Sequence, residues 1–317
     1  MIVGSGILGI IFSLNRDVVN FVVNPNITEH IPIGYRQFSD TEIKMMYEMF
    51  AAVTLCANLI FALSPSREVT SCIEGKYNKM RKTFKLELDQ VLLTFMDKRM
   101  ITLTPLFFHN GFYTIFWVCV YPTTLVFSKS LSNQIYLPAI YSFTVGAGEI
   151  TMGVIISLMS KRIKNFGLKP TMYCALILTT TLIVVLVASV PAWATVGYTD
   201  APAWLMESNM PLMIFIAFLI GLGDSCVNNV RNVICALAIP DQRAQAYAIS
   251  KFYQAFAGAI LMFTSPYLSI YHYGALLFCS LLTATVCFIY SADQTKAMEK
   301  EHHKKELVFE KISSIEC

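Results

Sequence analysis

Long uninterrupted apolar runs, separated by short polar stretches, organise this chain. Segments 45–63, 101–127, 136–159, 171–195, 210–239 and 246–270 each supply the run of about 20 mostly apolar residues that a bilayer-crossing helix needs. A seventh, 273–291, is just long enough, and an eighth, 2–23, is interrupted by Asn15, Arg16 and Asp17. Continuous runs rather than period-two alternation exclude a β-barrel. The pattern predicts an all-α, polytopic membrane protein with about eight transmembrane helices, its natural medium the lipid bilayer. Between the first runs, "TFKLELDQVLLTFMDKRM" at 83–100 mixes leucine and phenylalanine with charges. That spacing suits a helix lying along the membrane surface or a plain soluble connector.

Composition agrees: of 317 residues 55% are hydrophobic and 14% charged, with a mean hydropathy of +0.56, whereas a soluble domain carries about a quarter charged residues. The placement of charge sets an orientation. With 64–99 in the cytoplasm, eighteen of the 24 lysines and arginines fall in 64–99, 160–170, 240–244 and the tail from 292. Only Arg36, Lys44 and Lys129 fall on the other side, and the C-terminus is then cytoplasmic. Asn26, in Asn-Ile-Thr, is a glycosylation candidate on that outer side. The expected organisation is 1–63 as two helices, 64–99 as a cytoplasmic loop, 100–291 as a six-helix bundle and 292–317 as a charged tail. The start lacks the basic region of a signal peptide and falls inside an apolar run, as expected if upstream residues are missing.

Chemistry-bearing motifs are few. Seven of the nine cysteines lie in apolar segments, without a CxxC pair or a zinc-like Cys/His cluster, and read as packing residues. His30, His109, His272, His302 and His303 are scattered. No phosphate loop or nucleophile–base spacing is present, so neither catalysis, a metal nor a cofactor is expected. The basic residues follow topology rather than forming a soluble patch, which argues against nucleic acid.

The informative residues are ionisable groups inside the spans. Glu149 lies in 136–159, Asp224 and Arg231 in 210–239, and Lys251 in 246–270. Counting the last six spans, the third and sixth are purely apolar while the other four carry polar groups, His109 and Asn110 in the first. That two-fold pattern of three-helix units, the third facing lipid, is the arrangement of paired transporter repeats. By helical rise, Glu149 lies about 16 Å from the cytoplasmic end of its span, Arg231 and Lys251 about 10–12 Å and Asp224 about 22 Å. Asp224, Asn228 and Arg231 share one helix face, as do Lys251, Gln254 and Gly258. Charges at such depth need compensation. They line a cavity that meets a solute, coupling ion or proton, or they pair permanently and hold the helices in register. Gly146, Gly148, Gly153, Gly221 and Gly223 permit close helix approach, and Pro105 and Pro122 are expected to kink the first bundle span.

"FLIGLGDSCVNNV" and "AQAYAISKFYQAFAGAILMFTSPYL" resemble the tenth and eleventh helices of the Unc-ninety-three family, and "YSFTVGAGEITMGVIISLMSKRIKNFGLKP" its eighth helix and following loop. Within the family, the chain most resembles the branch called major facilitator superfamily domain-containing protein eleven. The resemblance covers about residues 40–291. It implies a twelve-helix major facilitator fold, of which this chain keeps roughly helices five to twelve. The family's Gly-Asp, Asn and Lys-Phe-x-Gln positions fall on Gly223, Asp224, Asn228, Lys251, Phe252 and Gln254. Arg231 stands where the family has an apolar residue. Gly153, Lys161, Arg162 and Gly167 resemble the basic gating loop of major facilitators, without its acidic member. The resemblance implies a regulator or chaperone of a partner membrane protein, such as an ion channel or receptor. The alternative it leaves open is a carrier moving a small-molecule solute past Glu149, Asp224, Arg231 and Lys251.

Overall fold

The computed structural model describes residues 40–64, 84–128, 136–163, 166–197 and 201–313, the last helix by backbone alone beyond 298, with single positions at 2, 4–6, 9, 131, 134 and 199. Most of the expected helix 2–23, residues 65–83 and Asn26 lie outside the described residues. Eight helices follow in order: α1 (Asp40–Leu63), α2 (Phe84–Phe95), α3 (Lys98–Phe127), α4 (Leu137–Arg162), α5 (Lys169–Ser189), α6 (Met210–Ala238), α7 (Arg243–Thr264) and α8 (Ile270–Ser313). Among the described residues, α1, α3, α4, α5, α6 and the Ile270–Met298 part of α8 are long and apolar enough to cross a membrane. The chain is an all-α, multi-pass membrane protein.

Several boundaries differ from the sequence pattern, each for a local reason. The segment expected to run to 195 stops at Ser189, because Pro191 cannot continue it. The backbone N–H groups of Leu205 and Met206 then donate to Ala188 O at 2.9 and 3.1 Å, which closes that end. Segment 246–270 becomes α7, ending at Thr264 in a 3₁₀ turn Ser265–Tyr267 that contains Pro266. Residues 271–272, which separate the expected segments 246–270 and 273–291, are helical. Ser269 N–H donates to His272 Nδ1 at 3.2 Å and its hydroxyl lies 2.7 Å from the same nitrogen, so α8 starts at Ile270. Although α7 has the length of a span at 22 residues, Arg243, Gln245, Lys251 and Gln254 leave it too polar to read as one by composition. It owes its place to its neighbours α3 and α2.

Helix starts are encoded locally. Pro138, Pro170 and Pro211 sit in the first turns of α4, α5 and α6, where a missing N–H costs nothing. Asp97 caps α3 by accepting from Arg99 N–H at 2.8 Å, and Asn209 caps α6 through Leu212 N–H at 3.0 Å. In α3, Phe116–Val120 form a π-helical turn closed by Tyr121 N–H donating to Phe116 O. Pro122 follows at once; its ring would strike the Val118 carbonyl in a regular helix, and the widened turn accommodates it.

Helices α3 to α8 pack as one bundle around two apolar clusters. One contains Tyr113, Phe116, Tyr121, Tyr141, Ile220 and Tyr273; the other contains Met100, Phe107, Met172, Val227, Ile234 and Phe288. Helices α4 and α6 cross on bare backbone: a Cβ at Gly148 would lie 3.1 Å from Gly221 Cα and nearer still to the Phe218 carbonyl. Helix α2 lies against α7, with Phe95 stacked on Tyr253 at 5.5 Å and a hydrogen bond from Thr94 to Gln242. Its Leu86, Leu88, Leu92 and Leu93 face outward, as does most of α1, where Phe61 is 83% exposed.

Candidate functional site

The polar layer falls where the two apolar clusters meet. On α3 it comes between Phe107 and Tyr113; on α6, between Ile220 and Val227. Asp224 is buried there, 7% exposed. The indole Nε1–H of Trp117, carried on the π turn, donates to its Oδ1 at 3.0 Å. Asn228 Nδ2 donates to its Oδ2 at 2.7 Å and to its backbone oxygen at 3.1 Å. Asn110, fully buried on α3, extends the chain by donating to Asn228 Oδ1 at a long 3.4 Å. Tyr113 OH donates to Ile220 O at 3.0 Å beside Gly223, where a Cβ would lie 2.5 Å from that hydroxyl. The glycine thus admits the tyrosine against α6. Tyr141 OH holds the π turn from the other side, donating to Trp117 O at 2.5 Å.

A second cluster lies farther along α6. Arg231, 2% exposed, donates from Nη1 to Gln254 Oε1 at 2.6 Å and from Nη2 to Asn232 Oδ1 at 3.1 Å. Lys251 Nζ donates to the same Gln254 oxygen at 3.1 Å, and Gln254 Nε2 donates across to Thr114 on α3 at 3.1 Å. Both cations lie over the Tyr247 ring, 5.6 Å for the guanidinium and 5.9 Å for the ammonium. Lys251 itself is exposed.

Thus Asn228 joins Asp224 in one cluster, and Gln254 joins Arg231 and Lys251 in another. Asp224 and Arg231 are separated by about 10 Å of helical rise, and among the described residues no ion pair links the acids to the bases. Half-buried Glu149 joins neither cluster and makes no hydrogen bond among the described residues. It stands beside the α4–α6 crossing, its backbone N packed on Gly221. Of the gating-loop residues, Gly153 lies inside α4, facing Ser225. Lys161 and Arg162 are exposed in its last turn, where positive charge suits the helix dipole. Gly167 precedes α5, and its carbonyl lies 3.5 Å from Asn229 Nδ2. Trp117 and Tyr247 were not legible as site residues. The signal that points to Trp117 is general: a buried indole N–H needs an acceptor.

A bundle of long apolar helices that encloses a carboxylate at mid-span, satisfied by donors from two helices, defines a multi-pass helical membrane protein with an internal polar core. Within that class, the chain belongs to the UNC-93 family: the family described as "Ion channel regulatory protein UNC-93" matches residues 1–289. It is 26% identical to the UNC93-like protein MFSD11 of Xenopus laevis over 74% of this chain and 56% of that protein. It is 28% identical to the Xenopus tropicalis protein of the same name, over 62% of this chain and 43% of that one. An Arabidopsis thaliana UNC93-like protein 3 is 27% identical over 57% of this chain and 35% of its own length. The chain therefore spans about half or less of the curated relatives it matches. No solved structure matches it.

Proposed function

We infer that this protein regulates or chaperones a partner membrane protein, such as an ion channel or receptor, using a major facilitator-type bundle as a fixed scaffold rather than a moving carrier. The observation that carries this reading is the state of Asp224. Both its oxygens already accept hydrogen bonds from Trp117 and Asn228 of its own bundle. A carboxylate so engaged locks α3 to α6 and is poorly placed to exchange partners during transport. The description of the matching family, an ion channel regulatory protein, points the same way.

Affinity purification from native membranes tests it. A specific channel or receptor should co-purify, and Lys251→Met should leave that association intact. Recovery of the chain alone in mild detergent would count against it. The second reading, a solute carrier, draws on the exposure of Lys251 well inside the helix span, since a charge so placed favours a water-filled cavity. It requires that Lys251→Met abolish uptake of a solute while the protein still reaches its membrane.

A further inference from the structure

Arg231 and Lys251 present two positive charges to one neutral oxygen, Gln254 Oε1. The other side-chain acceptors of Arg231, Asn232 Oδ1 and the Tyr247 hydroxyl, are also neutral. Among the described residues neither cation has a carboxylate within ion-pair distance. Asp224, two helical turns away with both oxygens engaged by neutral donors, acts on both cations only at longer range. A charge held among neutral acceptors in a membrane bundle is costly unless an opposite charge visits it.

Ordinary snorkelling does not account for Lys251. It is the ninth of 22 residues in α7, about 12 Å from the near end of the helix by rise. A snorkelling side chain would lean toward that end, which is also the direction helical side chains favour. Its Nζ instead reaches one turn deeper, to Gln254. Exposed at its own position, it shares the Gln254 oxygen and the Tyr247 ring with buried Arg231. Next to it on α7, Phe252 and Phe256 stack with ring centroids 6.3 Å apart and planes 4° from parallel, 58% and 50% exposed. Phe252 lies about 100° around α7 from Lys251, so the exposed aromatic pair borders the cationic face rather than sharing it.

We propose that Lys251 and Arg231 form an oxyanion site for an amphiphile. A carboxylate or phosphate group contacts Lys251 Nζ with the Arg231 charge behind it, and the attached hydrocarbon lies along Phe252 and Phe256. The positive pair supplies the attraction, Tyr247 holds both cations in place, and the aromatic wall selects an apolar body over a bare inorganic anion. The site goes beyond the partner-binding reading and stands whether or not a channel or receptor is found.

The test uses the full chain in phosphatidylcholine nanodiscs. Two probes distinguish the sources of such a headgroup: laurate, a free amphiphilic carboxylate, and phosphatidylglycerol doped into the disc. Native mass spectrometry counts retained molecules, and a laurate titration gives the affinity. Wild type should hold at least one probe roughly tenfold more tightly than Lys251→Met. Lys251→Arg should keep the binding, and Lys44→Met, an exposed lysine on α1, should leave it unchanged. Laurate alone retained identifies a soluble amphiphile; phosphatidylglycerol alone identifies a bilayer lipid. Equal binding by wild type and Lys251→Met overturns the proposal. So does an equal loss in Lys44→Met, which would reduce the effect to general attraction. Thermal melting in undoped discs checks that Lys251→Met folds. If it does not, Lys251→Gln is the deciding variant.

Discussion

Asp224 illustrates how a membrane interior tolerates a carboxyl group: each oxygen has its own donor, and the donors come from different helices. Removing one donor should therefore cost more than an average hydrogen bond, because it leaves a buried oxygen unsatisfied. Trp117→Phe keeps an aromatic side chain but deletes the N–H together with part of the indole, two losses that a paired background separates. Its expected cost is about 1–3 kcal/mol, read as a lower melting temperature in detergent. The cost should shrink in an Asp224→Leu background, where no acceptor remains; an equal cost in both backgrounds would show that the bond contributes nothing. Outside the bundle core, Asp97 offers a pH test. Hydrogen bonds from the Arg99 side chain and backbone hold its carboxyl below the ordinary value against the opposing effect of burial. A depressed native value means stability that is present above the unfolded value, about 3.9, and lost as pH falls through the native one. Wild type should thus lose melting temperature below about pH 4 more steeply than Asp97→Asn; parallel curves would refute the assignment. At this scale the sequence showed which residues sit deep and share a face, because helical periodicity fixes both. It could not show that Asp224 meets Trp117 rather than Arg231. That choice depends on the π turn and on how α3 lies across α6.

Helix–helix contact here is set by glycines whose roles differ sharply. A Cβ at Gly221 would run into the Val145 carbonyl, the Glu149 nitrogen and Gly148 Cα, all backbone atoms of α4 that cannot rotate away. At Gly153, one turn along α4, the nearest atom is Ser225 Oγ at 4.0 Å. Gly221→Ala should accordingly destabilise by roughly 1–3 kcal/mol through overpacking. Gly153→Ala should be neutral or stabilising by up to about 1 kcal/mol, since alanine is the better helix former. Melting of the two variants side by side decides the matter, and a similar shift for both would mean that the α4–α6 crossing is looser than drawn. From the sequence these glycines form a single class of small residues. Only the crossing point separates them. Helix starts agreed with the apolar runs where proline or an N-cap stood nearby, as at Pro138, Asn209 and Pro211. They were missed where a distant partner sets the boundary, as where Ser269 and His272 bring the start of α8 forward.

Across the whole molecule, class and helix order follow from the apolar runs, because a bilayer imposes a minimum length that few soluble segments reach. The one bundle helix that composition leaves below that standard, α7, is the one bearing Lys251 and Gln254. Its polar side chains find partners on α3 and α6, and composition alone does not register such compensation. Orientation remains a matter of charge, and it makes a sharp prediction. The distribution of lysine and arginine predicts 64–99, the 160–170 connection and the tail from 292 on the cytoplasmic side, with Asn26 opposite. Lys161 and Arg162 at the end of α4 and Lys169 at the start of α5 lie at one end of the bundle, beside the Lys169–Asp293 ion pair at 2.5 Å. These positive residues therefore share a membrane face in the folded state. In microsomes, an engineered glycosylation acceptor in the tail should stay unmodified, while one placed in 201–208, between α5 and α6, should be glycosylated. Asn26→Gln should remove the modification from the otherwise unaltered chain. The reverse pattern at the two engineered sites would invert the topology and move the Lys251–Arg231 end of the bundle to the outer leaflet. The oxyanion site would then draw on a different pool of amphiphiles.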